Sequence, residues 1–152
     1  MLNGCADKNA FSKFGMSEAQ ERSASSLQSS KIKAQGKIEG LFSAVYLNEV
    51  YPKIYSNNEY FFIYLYLKNK KEMYDPNKLE DVKLTLKLNS KLPIKIKQLP
   101  HDSQFSDLVS TKNGWNRYYL VAFKKEDSKK LSIVLENGQF SSDPLIYQKD
   151  KQ

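Results

Sequence analysis

The sequence predicts an all-β domain, an antiparallel β-sandwich of about seven short strands on a flexible or partly helical N-terminal tether. Three observations carry that prediction. From Lys37 onward apolar residues recur at every second position, which is the period of a strand. Turn formers interrupt the pattern at short intervals, and no helical period is sustained in the same stretch. With 152 residues, 40% of them hydrophobic and 12% aromatic, the chain can bury one core and is short for two.

Residues 1–30 differ in kind from the rest. Seven serines fall between Ser12 and Ser30 with few large apolar residues among them, so the stretch buries too little surface to offset its ordering entropy. It reads as a tether. Met16, Ala19, Ser23 and Leu27 are spaced for one helical face, and Ser17 with Gln20 has the form of a capping box, which allows a short marginal helix. Lys8, Lys13 and Arg22 cancel Asp7, Glu18 and Glu21, so the net charge of +7 belongs to residues 31–152, the expected sandwich.

Residues 37–50 (KIEGLFSAVYLNEV) are apolar on both alternating faces until Pro52 breaks the run, and read as one strand. Residues 58–69 (NEYFFIYLYLKN) are the clearest element: Phe61, Ile63, Leu65 and Leu67 share one face, Tyr60, Phe62, Tyr64 and Tyr66 the other. Val82, Leu84, Leu86 and Leu88 alternate with Lys83, Thr85 and Lys87, and the Asn89-Ser90 turn leads to Ile94 and Ile96 alternating with Lys95 and Lys97. This predicts a hairpin with one wet face, whose second arm Pro93 places at or near a sheet edge. Past Pro100, residues 115–123 (WNRYYLVAF) form a second strongly apolar strand and residues 131–135 another; Asn137-Gly138 then signals a hairpin before a last short strand at 145–147. The two strands apolar on both faces, 60–67 and 115–123, are expected to run centrally, one in each of two packed sheets. In an immunoglobulin-like topology they would be strands B and F, without the cysteine pair that bridges those strands in antibodies.

The only cysteine is Cys5, which excludes an intramolecular disulfide and a cysteine-based metal site. It stands in Leu2-Asn3-Gly4-Cys5, which resembles the lipobox of bacterial lipoproteins, with a serine-rich spacer after it. The resemblance implies that Cys5 is diacylated on sulfur and becomes the mature N-terminus, residues before it being the remnant of a signal peptide. Ala6 in place of Asp after the cysteine implies outer-membrane sorting. The usage rich in Lys, Asn, Tyr and Ile and the Ile-Tyr-Leu-Tyr-Leu strand are similar to small epsilonproteobacterial lipoproteins with a variant immunoglobulin-like fold. That likeness implies an envelope location and brings no catalytic motif.

Enzyme chemistry finds little to build on. A hydrolase triad needs a base near neutral pH, and the one histidine, His101, has Asp102 and Ser103 only as sequence neighbours in a polar loop. The segment from Asp75-Pro76-Asn77 to Glu80-Asp81 lacks the alternating oxygens and the glycine of a calcium loop and reads as a turn. No phosphate loop or dinucleotide fingerprint is present. The expectation is a protein without catalytic residues, metal or cofactor.

Two surfaces remain. Lys83, Lys87, Lys95 and Lys97 project from the wet face of the predicted hairpin and would form one cationic stripe on paired strands, either for an anionic partner or to guard the edge against aggregation. Tyr60, Phe62, Tyr64 and Tyr66 form an aromatic face that either neighbouring chain covers or a partner meets. With only Arg22 and Arg117 in the chain, base readout of nucleic acid is disfavoured. The sequence thus leads to a membrane-anchored envelope module, facing the periplasm or the outside, that binds an envelope protein, a second copy of itself or an anionic surface. The alternative is a basic β-module for nucleic acid or another polyanion.

Overall fold

A computed structural model of the chain describes residues 18–68, 84–103, 105, 116–136 and 138–149. They form two helices, α1 (Glu18–Ser26) and α2 (Leu47–Val50), and nine strands: β1 (Gln28–Ala34), β2 (Lys37–Tyr46), β3 (Glu59–Leu67), β4 (Thr85–Leu88), β5 (Lys95–Leu99), β6 (Arg117–Phe123), β7 (Lys130–Glu136), β8 (Ser141–Ser142) and β9 (Leu145–Gln148). All pairings are antiparallel, in one hydrogen-bonded order β4-β7-β8-β1-β2-β3-β6-β5, with β9 on β7 beside β8. Gln35 (φ 52°) and Gly36 (φ 79°) make the β1–β2 turn, and two positive φ values in a two-residue loop match the right-handed twist of the strands it joins.

Alternation puts one face of every long strand into a shared core. Phe42, Ala44 and Tyr46 of β2, Phe61, Ile63 and Leu65 of β3 and Tyr119, Val121 and Phe123 of β6 meet Leu86 and Leu88 of β4, Leu131, Ile133 and Leu135 of β7 and Tyr147 of β9. A sheet curled on itself therefore holds the interior that two separate sheets would hold. Where β1 and β9 diverge, the Gln28 side chain completes the ladder: its Nε2 donates to the Ile146 carbonyl (2.5 Å) and its Oε1 accepts from the Ile146 N–H (3.0 Å).

The opposite face of β2, β3 and β6 is partly covered as well. Val45, Phe62 and Tyr118 lie with Leu47 and Val50 of α2, Leu99 and Phe105 in a second cluster, against which Leu27, Tyr51 and Tyr55 pack. Phe62 stacks on Tyr118 at 5.8 Å and on Phe105 at 6.0 Å.

These facts correct four expectations. The described residues form nine strands that run as one continuous ladder, where about seven in two sheets were expected. Strands β3 and β6 are neighbours, with Phe61 opposite Val121, and are apolar on both faces because the second cluster covers their outer side. Strands β4 and β5 do not form a hairpin with each other: Leu88 and Lys91 exchange two 2.9 Å bonds around Asn89 and Ser90, but Pro93 has no N–H to extend that ladder. The chain crosses instead to β6, where the Ile94 N–H reaches the Ala122 carbonyl (2.8 Å), and β5 becomes the last strand, the edge position expected from Pro93. The expected tether is shorter, because α1 and β1 belong to the folded body: Ser26 Oγ accepts the Tyr46 N–H (3.1 Å), and β1 pairs with β2 along its length.

Candidate functional site

Strand register brings the aromatic face and part of the lysine set together. On the outer side of the sheet Tyr60 lies opposite Ala122, which lies opposite Lys95; one step along, Phe62, Leu120 and Lys97 make the parallel row. Ala122 is small, so a hollow of about 440 Å³ opens above it. Its apolar lining is Tyr60, Ile94, Leu120 and Ala122, and Asn58, Lys95 and Lys97 supply its polar lining.

Each side chain has a local reason to be there. Asn48 fixes the entry to β3 by accepting the Tyr60 N–H (2.9 Å) and donating to the Asn58 carbonyl (2.8 Å). Tyr55 packs on the Tyr60 ring at 4.8 Å and fixes its place in the lining. Lys95 and Lys97 are two residues apart on one strand face, which sets their stems about 7 Å apart. Both are exposed, and neither makes an ion pair or hydrogen bond among the described residues. An apolar lining beside two ammonium groups with no ion pair among the described residues has the chemistry to suit an amphipathic anion, whose body would cover Leu120 and Ala122 and whose head would sit between the lysines.

A second hollow of about 500 Å³ lies at the same end of the sheet, lined in part by Tyr46, Glu49, Tyr55, Lys125 and Lys149. Beneath it Glu59 is fully buried and accepts from the Tyr46 hydroxyl (2.5 Å), the Lys149 ammonium (2.7 Å) and the Glu126 N–H (3.0 Å). Burial pushes the Glu59 carboxyl up, but these donors outweigh it and hold the group below its ordinary value. Glu126 is likewise lowered: burial raises it, and Lys91 at 2.9 Å and Asn89 at 3.2 Å more than reverse that. Burial raises the hydroxyl of Tyr147, which donates to the Ala44 carbonyl (2.6 Å). The satisfied hydrogen bonds make this network a clasp for the end of β9.

The other expected site residues scatter. Phe62 is wholly buried and presents no surface; Tyr60, Tyr64 and Tyr66 are half-buried. Tyr64 lies against Tyr118 at 6.0 Å, and Tyr66 lies opposite Leu41. Lys87 sits on β4 at the far end of the ladder from Lys95 and Lys97 and pairs with Glu136 at 3.1 Å, so no single stripe forms. His101 is held by the Asn116 carbonyl at 2.9 Å and by an edge-on contact with Tyr118, which is a structural placement. Cys5, Lys83 and the segment from Asp75 to Asp81 lie outside the described residues. Among the described residues no group of three or more His, Cys, Asp or Glu side chains could hold a metal, and no helix is long and apolar enough to cross a membrane. Ile94, Leu120 and Ala122 were not expected at a site; for Leu120 and Ala122 the signal was the outer row of YYLVAF, which needs the β5 register to acquire meaning. No protein-family model matches the chain, and no curated protein or solved structure is significantly similar to it.

Proposed function

We propose that this chain is a lipid-anchored protein of the bacterial cell envelope whose β-domain is a non-catalytic binding module, with the groove between Tyr60, Lys95 and Lys97 as its binding surface. The observation that carries the binding role is that two lysines with no ion pair among the described residues share one concavity with an apolar lining. The anchor rests on Leu2-Asn3-Gly4-Cys5. The tyrosine face favours a protein partner or a second copy less, since Phe62 is buried and its neighbours are half-covered. In architecture, the common core between β4, β7, β9 and β2, β3, β6 is what an immunoglobulin-like sandwich would need, while the ladder running on through β8 and β1 departs from it.

Two measurements test this. Radioactive palmitate fed to cells making the full-length gene product labels the protein and not Cys5→Ala; equal labelling of both, or of neither, removes the anchor. Calorimetry with decanoate gives saturable binding that Lys95→Gln/Lys97→Gln weakens by about tenfold or more, as expected for two charge-assisted contacts. Preference for single-stranded oligonucleotide over decanoate would instead favour the polyanion alternative.

A further inference from the structure

Five large hydrophobic residues are exposed among the described residues, and three of them, Ile54 (68%), Leu92 (47%) and Ile94 (50%), sit at one end of the sheet. The topology gathers them. Strand β3 starts at Glu59 opposite Phe123 and β5 starts at Lys95 opposite Ala122, so the loops 51–58, 89–94 and 124–129 all leave the sheet at that end. The loops are tied to one another: the Lys125 ammonium donates to the Ser56 carbonyl (2.9 Å), and Lys91 pairs with Glu126 (2.9 Å).

Charge at this end is one-sided. Glu59 and Glu126 are buried and matched by Lys149 and Lys91. Asp127 is exposed and Glu49 half-buried, against exposed Lys53, Lys95, Lys97, Lys124, Lys129 and Lys130. Leu92 and Ile94 thus stand between lysines in Lys91-Leu92-Pro93-Ile94-Lys95, and Ile54 follows Lys53.

We propose that this end docks on an anionic bilayer surface, Ile54, Leu92 and Ile94 entering the interface while Lys53, Lys95 and Lys97 meet lipid phosphates. Protruding apolar side chains ringed by lysine gain on two counts at such a surface, from burial at the acyl boundary and from the surface potential. A nucleic acid would reward the lysines and leave the three apolar side chains wet. The docking rests on the proposed function in that the groove accepts an anionic group, and it identifies the source of that group as membrane lipid.

The test is co-sedimentation of the non-acylated full chain with vesicles of phosphatidylcholine, alone or with about 30% phosphatidylglycerol, the anionic component setting the surface potential. Binding to the mixed vesicles exceeds that to phosphatidylcholine by about tenfold or more and falls as salt shortens the screening length. Leu92→Ser/Ile94→Ser weakens it about tenfold, as does Ile54→Ser, whereas Ile38→Ser/Leu41→Ser, at exposed positions away from these loops, leaves it unchanged. Free glycerol phosphate in excess fails to displace the protein from vesicles; displacement would make the site one for a soluble anion and overturn the docking. Decanoate binding without vesicle binding overturns the docking and leaves the groove intact. Loss of both overturns the groove as well.

Discussion

The Lys149 ammonium stands 2.7 Å from the carboxylate of Glu59, a side chain with no solvent exposure. Lys149 directly follows β9 and Glu59 begins β3, so this contact clasps the end of the last strand to β3. Breaking a buried pair by removing one partner strands the other charge, at a cost of about 3–5 kcal/mol. Lys149→Met is therefore expected to lower stability by about 3 kcal/mol at neutral pH, measured by urea titration. The deficit shrinks as pH falls, because the stranded Glu59 is protonated and no longer needs its partner.

The same network sets the acid limit of the fold. Glu59 and Glu126 are held below the ordinary carboxylate value of 4.5, so each contributes stability in full above that value. That contribution disappears as pH drops below 4.5 through the folded-state values. A melting series from neutral pH downward should be flat to about pH 5 and then fall, and Glu126→Gln should flatten part of the fall.

Gly40 lies opposite Leu67 in the β2–β3 ladder, and a Cβ there would come within 2.1 Å of the Tyr66 carbonyl oxygen. Backbone cannot yield as a side-chain tip can. Gly40→Ala is expected to cost about 2–3 kcal/mol by forcing the two strands apart, read as a Tm drop of roughly 5–10 °C.

Phe62→Ala removes a ring that stacks on both Tyr118 and Phe105 and should cost about 3–5 kcal/mol. Tyr64→Ser should lower the melting temperature with no change in sedimentation coefficient. A change of oligomeric state at constant Tm would instead make this face an interface.

The gap between these residues and their first appearance in the sequence has physical causes. Alternation located β3, β6 and β7, since each buries at least one whole face. It missed β1, whose QSSKIKA keeps only Ile32 fully inward and which is held through β2 and β8 pairing that no local pattern encodes. It ran β2 through Val50, because LNEV is apolar at both ends and turns helical only to lay Leu47 and Val50 on Phe62. The Asn89-Ser90 turn was legible, and so was the edge position of β5. That Pro93 would send β5 to β6 was not, since partner choice depends on strands far away in the chain. For the same reason the groove was half legible: Tyr60, Lys95 and Lys97 stood out singly, and only the β3–β6–β5 register sets them around Ala122.

The central claim is that this groove binds an amphipathic anion, and the most direct measurement is a backbone amide NMR titration with decanoate. The signals expected to move, saturably and together, are those of Asn58, Tyr60, Ile94, Lys95, Lys97, Leu120 and Ala122, with Lys87 and Glu136 still. Shifts absent from these residues at saturating decanoate, or centred on the Tyr46–Lys149 hollow, would contradict it.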